Sequence, residues 1–257
     1  MTSAPQLVSS RDNPLLKDLR RLAQGSTAYR KQGRIWLEGD HLCRAAVQRG
    51  VKAAIAVVQE SAWPQVAAEF AGAADKTVLL ADALFAGLSG LESPARMGFV
   101  VELPQPPQLA ADAPTVVLDG LQDAGNVGSI LRSAAAFGFR QVAATQGTAA
   151  LWSPKVLRAG MGAHFALALR EGVDADVVRS LGLPLLATSS HEGDLLHEAS
   201  LPWPCAWVFG HEGQGVSDSM VRVATQKVRI AQPGGEESLN VAAAAAVCLH
   251  ASMAARL

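Results

Sequence analysis

The 257-residue chain contains only three cysteines, Cys43, Cys205 and Cys248. None belongs to a C-x-x-C pair, and no histidine stands at zinc-finger spacing from one. This excludes a disulfide-built secreted fold and favours small apolar thiols in a reducing cytoplasm. His191 and His197 are six residues apart, which fits no common zinc motif. We therefore expect no metal site.

Long hydrophobic runs are also missing, because Gly, Pro or charged residues interrupt every apolar stretch well before the roughly 20 residues that a membrane helix needs. The first 14 residues lack a basic region followed by an apolar run, so we expect no secretory signal and a cytoplasmic protein. Hydrophobic residues make up 49% of the chain. That supplies enough apolar surface to exclude disorder over most of its length.

The charge is balanced overall, with 22 Lys or Arg and 23 Asp or Glu, but it is unevenly distributed. Residues 1–50 contain nine basic and four acidic residues, a net charge of +5. A basic end favours a polyanionic partner such as nucleic acid. A solvated helix face is the alternative interpretation.

A proline-rich stretch, residues 103–114, divides the chain into parts of about 100 and 145 residues. We predict domains at 1–104 and 112–257. In both parts apolar strands alternate with helices, which predicts a three-layer α/β architecture whose second sheet is mostly parallel. The predicted strands are 34–39, 53–59, 77–81, 97–103, 114–120, 141–145, 183–189, 204–210 and 228–232. The predicted helices are 13–24, 40–50, 63–72, 126–138, 153–165, 174–182 and 237–257, with Asn13 and Asp40 as caps.

Three strands of the second part end in polar or glycine-rich loops, where ligands bind in open α/β sheets. In the first loop, Asn126 and Arg132 are six residues apart, which is not one face of a regular helix. If Asn126 lies in the loop or cap, both side chains could reach one pocket; otherwise Asn126 is an ordinary helix cap and Arg132 is exposed.

The second loop is GHEGQG, residues 210–215, in which glycines surround Glu212. Glycine there permits close approach of the backbone to a ligand, although a plain turn is the alternative. The spacing matches neither a dinucleotide loop nor a phosphate loop. The third loop places Ser238 and Asn240, preceded by Glu236 and Glu237, at the start of the last helix, where all four could simply be capping residues.

Together the three loops resemble the SpoU (TrmH) family of RNA ribose 2′-O-methyltransferases of the SPOUT class. The motifs occur in the family's order as N126-VGSIL-R132, G210-HEGQG and S238-LNV, within residues 112–257. The segments SRDNPLLKDLRRL and RIWLEGDHL also resemble the family's small substrate-binding domain, which is similar to RNA-binding ribosomal proteins. This weaker likeness covers about residues 8–102.

The resemblance implies a C-terminal domain with a deep trefoil knot that binds S-adenosylmethionine, an N-terminal α/β RNA-binding domain, and a homodimer whose active sites are completed across the interface. It implies an enzyme without a metal or membrane contact. Its implied catalytic residues are Asn126, Arg132, Glu212, Ser238 and Asn240. Its implied cofactor-binding residues are Thr188, Gly210, His211, Gly213, Gly215, Ile230 and Leu239. For RNA binding we expect Arg11, Arg20, Arg21, Arg30 and Lys31, because of the charge of the first segment.

The reaction implied is methyl transfer to a ribose 2′-hydroxyl, which must lie in line with the sulfonium methyl and lose its proton. The family's base is the arginine that matches Arg132, yet arginine stays protonated at neutral pH. It could instead hold an RNA phosphate that relays the proton. Ribosomal RNA, most simply 23S, is favoured by the N-terminal domain; transfer RNA and a catalytically silent RNA-binding assembly factor are the alternatives. Ala242, and the turn at residues 230–234, depart from the family's usual residues.

Overall fold

The computed structural model describes residues 4–88, 95–234 and 238–257. The strands are β1 Gln6–Val8, β2 Arg34–Glu38, β3 Ala53–Gln59, β4 Ala74–Leu80, β5 Met97–Glu102, β6 Thr115–Asp119, β7 Gln141–Thr145, β8 Ala168–Val173, β9 Leu185–Thr188, β10 Asp194–Leu195, β11 Ala206–Gly210 and β12 Gln226–Arg229. The helices are α1 Pro14–Gln24, α2 Ala28–Gln32, α3 Asp40–Gln48, α4 Trp63–Phe70, α5 Asp82–Ala86, α6 Ala124–Ala136, α7 Pro154–Gly160, α8 Ala175–Arg179, α9 Asp218–Val223 and α10 Val241–Ala254. Short 3-10 turns occupy Glu60–Ala62 and Ala163–Ala166.

The chain forms two compact units. Unit 1 comprises Met1–Gln105 and Trp152–Phe165, and unit 2 comprises Pro106–Leu151 and Ala166–Leu257. The first division, after Gln105, falls inside the predicted proline-rich stretch. Residues 152–165 group with unit 1, whereas the predicted second domain, 112–257, includes them.

Unit 1 is built on a mixed sheet in the order β1-β4-β3-β5-β2, in which β1, β4 and β3 run parallel and β5 is antiparallel to both of its neighbours. Helix α7 belongs to this unit because it packs on β2. An ion pair supports that packing: Arg158 Nη1 on α7 lies 3.2 Å from Glu38 Oε2 on β2, and the Glu38 side chain is only 3% exposed.

Local sequence signals account for α1. Asn13 caps the helix through a 2.9 Å bond from Leu15 N, Pro14 occupies the first turn, and the leucines at 16, 19 and 22 are buried on one face. The cap predicted for α3 is wrong: Gly39 is the N-cap and Asp40 is the first helical residue. Gly39 has φ 98°, a conformation in which an aspartate would be strained.

Unit 2 contains a sheet in the order β10-β12-β9-β11-β6-β7-β8, and every strand pair in it is parallel. Successive side chains of β11 alternate between its two faces. Val208 belongs to the same buried cluster as Val178 of α8 and Met220 of α9. Trp207 points the other way and donates a 2.8 Å hydrogen bond from Nε1 to Ser252 Oγ of α10. Helices therefore cover both faces, which confirms the predicted α/β class with a parallel sheet.

Helix boundaries in the second half differ from the prediction, by one to three residues at each end for α6 and α8 and by more for α7 and α10. The stretch 153–165 is not one helix, because α7 ends at Gly160 and Met161 adopts φ 48°. The last helix begins at Val241 instead of 237. The predicted capping residues Glu236 and Glu237 lie outside the described residues.

Candidate active site

Asn126 lies in the first turn of α6, the helix that follows β6, and β6 is an interior strand of the unit 2 sheet. The cap of this helix is Asp123, whose Oδ1 accepts a 2.7 Å hydrogen bond from Asn126 N. The interpretation of Asn126 as the helix cap is therefore wrong. Because Asp123 satisfies the backbone, the side-chain amide of Asn126 is available to other groups.

Both ends of that amide are used, and they join the three loops. Asn126 Nδ2 donates to Glu212 Oε1 at 3.2 Å, and Asn126 Oδ1 accepts from Asn240 Nδ2 at 3.0 Å. Asn240 Oδ1 in turn caps α10, accepting from Ala242 N at 2.9 Å and Ala243 N at 3.2 Å. One chain of hydrogen bonds thus runs from the glycine-rich loop through α6 to the start of α10.

Glu212 is anchored to the backbone of the first loop as well. Its Oε2 accepts from Gln122 N at 3.3 Å and its Oε1 from Asp123 N at 3.2 Å. Burial alone would raise the pKa of this carboxyl group. Hydrogen bonds from its own backbone, from Asn126 and from the other two backbone N–H groups outweigh burial and hold the pKa below its ordinary value. Glu212 is therefore ionised at neutral pH.

Arg132 stands apart from this network. Its side chain is exposed on α6, and within the described residues no hydrogen bond or ion pair engages its guanidinium. Helical geometry places it about 120° around the axis from Asn126, on the exposed stripe that contains Gly125, Ser129 and Ala136. Of the five predicted catalytic residues, the structure therefore joins Asn126, Glu212 and Asn240 by hydrogen bonds and leaves Arg132 outside.

The glycine-rich loop follows β11 as a tight closed turn. His211 and Gly215 exchange backbone hydrogen bonds of 2.9 and 2.8 Å, and Gly215 has φ 73°. A Cβ at Gly210 would overlap the backbone of Gly215 and Val216, so only glycine fits there. His211 Nδ1 accepts from Gly213 N at 3.0 Å and Gln214 N at 3.3 Å, which makes this nitrogen an acceptor.

A cavity of about 1010 Å³ opens beside this loop, entirely within unit 2. All seven predicted cofactor-binding residues line it: Thr188, Gly210, His211, Gly213, Gly215, Ile230 and Leu239. Glu212, Ser238 and Asn240 line it too, so the cavity reaches the hydrogen-bond network. Its volume is at the upper end of the roughly 300–1,000 Å³ that is usual for small-molecule sites.

Sequence reasoning missed several residues of the cavity wall. Lys227 lies on β12 and its Nζ is 2.7 Å from Glu192 Oε2. The hydrogen bond and the charge of Lys227 lower the pKa of Glu192. Cys248 on α10 also lines the cavity, where burial raises its thiol pKa to about 12 and keeps it protonated. The apolar positions of α10 carry no signal of this role, because any buried helix shows the same pattern.

The predicted RNA-binding residues lie in unit 1, and the structure places them on or beside two adjacent helices. Arg11 precedes α1, Arg20 and Arg21 are on α1, and Arg30 and Lys31 are on α2. All except the half-buried Arg20 are exposed. Arg21 pairs with Asp18 at 3.3 Å, and Arg30 Nε donates to the Tyr29 hydroxyl at 3.1 Å.

Two kinds of feature are absent from the described residues. None of their helices is long and apolar enough to cross a membrane. No group of three or more His, Cys, Asp or Glu is arranged there as metal ligands.

Comparison with known proteins places the chain in a family. The profile of the SpoU rRNA methylase family matches residues 113–250. The chain is 31% identical over 261 residues to an uncharacterised tRNA/rRNA methyltransferase of Synechocystis sp., covering 97% of this chain and 94% of the relative. It is 27% identical to the 23S rRNA (guanosine(2553)-2′-O)-methyltransferase RlmP of Bacillus subtilis, covering 95% and 97%.

Solved structures agree over the whole length. The crystal structure of an RNA 2′-O ribose methyltransferase matches with a TM-score of 0.80 and 30% identity, covering 98% of this chain and 99% of that one. An AdoMet-bound rRNA methyltransferase from Sinorhizobium meliloti matches with a TM-score of 0.85 and 25% identity, covering 98% of both chains. This chain belongs to the SpoU rRNA methylase family.

Proposed function

We propose that this protein transfers a methyl group from S-adenosylmethionine to a ribose 2′-hydroxyl of RNA, with 23S ribosomal RNA as the substrate. The observation that carries the proposal is the hydrogen-bond chain Glu212–Asn126–Asn240 at the edge of the glycine-lined cavity. It joins the three motifs of the family into one site. Similarity over nearly the whole chain to an enzyme named for 2′-O-methylation of 23S rRNA supports the substrate.

The cavity fits S-adenosylmethionine. Ile230, Leu239 and Val228 give an apolar wall suited to an adenine ring, and the backbone of Gly210 to Gly215 gives close polar contacts. Thr188, Ser189 and Ser190 supply hydroxyl groups at another part of the wall. Bound there, the cofactor supplies an electrophilic sulfonium methyl group, and this chemistry requires no metal ion.

The chain's own residues divide into positioning and binding roles. Three donors of other residues already bind the Glu212 carboxylate, so we assign it to fixing Asn126, not to accepting a proton. Asn126 and Asn240 then form a fixed polar edge against which a ribose can be oriented. Arg132 remains charged at neutral pH and has no partner in the described residues, so we assign it to an RNA phosphate. Ser238, exposed beside Asn240, lines the same edge.

We assign RNA binding outside the catalytic site to unit 1. Its helices α1 and α2 carry Arg20, Arg21, Arg30 and Lys31, and Arg11 precedes them. Basic side chains on neighbouring helices suit a phosphate backbone, which is read as charge and shape. We also infer that this unit is the small substrate-binding domain of the family. We infer a cytoplasmic location for the protein, where ribosomal RNA is also found.

We further infer that the last segment of unit 2 forms the family's trefoil knot and that the protein is a homodimer. Helix α10 contains no Asp, Glu, Lys or Arg, yet Ala243, Val247, His250 and Ala254 form an exposed stripe on it, with Val247 44% exposed. Helix α6 packs beside α10, and its exposed stripe is also made of small residues around Arg132. The exposed stripe of α10, without Asp, Glu, Lys or Arg, suits contact with a second copy of the chain. Sedimentation of the wild type should show a dimer, and Val247→Glu should shift it to monomer.

The function is tested with an unmodified 23S rRNA transcript and cofactor labelled in its methyl group. We expect label in the RNA within a dinucleotide that resists alkaline hydrolysis, because a 2′-O-methyl group blocks cleavage of the next phosphodiester. Asn126→Ala should lose this label. Label found in the bases would contradict the proposal. So would a parallel reaction in which transfer RNA becomes labelled and ribosomal RNA does not.

A further inference from the structure

Two carboxylates tie the loop after β6 to the glycine-rich loop, and they do so in opposite directions. Glu212, on the glycine-rich loop, accepts from two backbone N–H groups of the loop after β6. Asp119, the last residue of β6, accepts from Ser217 N at 2.7 Å, at the end of the glycine-rich loop. Each loop therefore holds the other by a charged acceptor on backbone donors. We call Asp119 and Glu212 the carboxylate clasp.

Asp119 is buried, with only 7% of its surface exposed. No basic side chain of the described residues forms an ion pair with it. Its carboxyl oxygens accept hydrogen bonds instead, from Ser217 N to Oδ2 and from Thr145 Oγ1 to Oδ1 at 3.1 Å. A buried carboxylate held only by neutral donors is costly unless its geometry is satisfied. Sequence reasoning assigned this residue no role.

The position of Asp119 explains what the clasp controls. Asp119 on β6 pairs in register with Gly210 on β11, so the glycine-rich loop begins beside Asp119. Just after the loop, the hydrogen bond from Ser217 N connects the chain to Asp119 a second time. Ser217 also caps α9, accepting from Met220 N at 3.4 Å. With both ends of the loop fixed, Glu212 in its middle is held against Asn126.

We propose that Asp119 is a positioning residue for methyl transfer, which fixes the closing end of the glycine-rich loop so that Glu212 keeps Asn126 and Asn240 aligned. This inference rests on the proposed function for its kinetic consequence. Loss of the Asp119 carboxylate frees the loop at Ser217, while the residues that touch the cofactor and RNA remain chemically intact. The expected defect is therefore in kcat more than in the KM for RNA.

The experiment compares Asp119→Ala, Asp119→Asn and a control, Gln141→Ala. An asparagine at 119 can still accept from Ser217 N through its oxygen and donate to Thr145 Oγ1 through its amide, so it preserves both bonds. Gln141 is 2% exposed, lies at the start of β7 and forms hydrogen bonds with Ala110 and Thr115, at the opposite end of the strands from Asp119. Its replacement removes buried hydrogen bonds away from the site.

At saturating cofactor we expect Asp119→Ala to lower kcat by about tenfold or more with the RNA KM changed by less than about threefold, since misplacing reacting groups by about 1 Å can cost about 100-fold. Asp119→Asn should recover most of kcat, and Gln141→Ala should lower the melting temperature without lowering kcat. Equal kcat for Asp119→Ala and wild type, or an Asn variant as slow as the Ala variant, would overturn the proposal.

Hydrogen exchange provides a readout that does not depend on activity. In Asp119→Ala the amides of Ser217, Gln122 and Asp123 should exchange faster than in wild type, and in Gln141→Ala they should not. Unchanged exchange at Gln122 and Asp123 in the Ala variant would refute the clasp even if the wild type methylates RNA. If the wild type does not methylate RNA but exchange changes as expected, the proposed function fails and the clasp stands.

Discussion

The hydrogen bonds of Glu212 predict a graded loss of activity in two variants. Glu212→Gln can keep its oxygen toward Asp123 N and Asn126 Nδ2, but its amide then faces Gln122 N, so the variant retains two of the three hydrogen bonds and no charge. Hydrogen bonds to charged groups contribute about 1.5–3 kcal/mol each, and the exposure of this site favours the lower end. A weakening of about 1.4 kcal/mol lowers kcat about tenfold. Glu212→Ala retains none of the three hydrogen bonds, and we expect a reduction of about 100-fold or more.

The assay is the rate of methyl transfer to the 23S transcript with both substrates saturating. Glu198→Gln is the matched control, because Glu198 is an exposed carboxylate of the same unit whose one ion pair among the described residues is with His197, at 3.6 Å. It should leave the rate unchanged. If Glu212→Gln turns over at the wild-type rate, or more slowly than Glu212→Ala, then Glu212 does not act through these three donors and the assignment is refuted.

The same carboxylate gives a pH dependence whose sign is fixed. Its pKa is lower in the folded protein than its ordinary value, so it stabilises the folded site at neutral pH, and that stabilisation is lost as the pH falls through the lowered pKa. The wild-type free energy of unfolding should therefore fall on acidification below the ordinary glutamate range, near pH 4.5. Glu212→Gln should show a shallower fall in a urea-unfolding series across that range, and an identical fall would contradict the lowered pKa.

Three further predictions concern unit 1, the glycine-rich loop and the basic helices. Arg158→Ala leaves the buried Glu38 carboxylate unpaired and should lower the free energy of unfolding in urea by about 3 kcal/mol. Arg34→Ala breaks an ion pair whose side chains are 46% and 63% exposed, and it should lower that free energy by less than about 1 kcal/mol. Equal losses would contradict the argument from burial. Gly210→Ala should abolish cofactor binding in calorimetry, while Gly213→Ala, whose added Cβ would meet only His211 at 3.8 Å, should be tolerated far better. The last variant replaces the four basic residues of α1 and α2 with neutral ones, namely Arg20, Arg21, Arg30 and Lys31. It should bind RNA more weakly, and the slope of log binding constant against log salt concentration should become shallower by about 0.7–0.9 for each phosphate that is no longer neutralised. An unchanged slope would mean that RNA binds elsewhere.

The sequence predicted the elements that have a strong local signal. The apolar run at 204–210 became the fully buried strand β11, and the leucine periodicity after Asn13 became α1. It missed six elements that are two to six residues long and too short to show a period, namely β1, β8, β10, α2, α5 and α9. It also did not predict that α7 groups with unit 1. That helix contacts β2 through the pair between Arg158 and Glu38, residues 120 positions apart, and no local pattern encodes such a contact.

The membership of the candidate site could be predicted from the motifs, but its connectivity could not. Asparagine is a residue type favoured at helix caps, so Asn126 looks like a cap in the sequence. The structure shows instead that Asp123 caps α6, which leaves the Asn126 amide to join Glu212 to Asn240. Asp119 was missed because a single aspartate at the end of a strand has no distinctive spacing. Its role depends on the register of β6 with β11 and on where the glycine-rich loop returns.

The hydrogen bonds also distinguish two roles that the motifs alone do not separate, which are alignment of the substrate and acceptance of its proton. The residues of the network already have hydrogen-bond partners within the protein. Glu212 accepts from three donors of other residues, and both ends of the Asn126 amide form hydrogen bonds. Protonation of Glu212 would remove the charge to which these donors bind and so weaken the hydrogen bonds that align Asn126. Arg132, permanently charged and outside the network, cannot serve as a base either but can bind a phosphate. In the proposed reaction the network therefore serves alignment, and we expect the proton of the 2′-hydroxyl to leave toward the RNA or solvent. Hence we expect the methylation rate to depend on the geometry of the network far more than on the titration of any one of its residues.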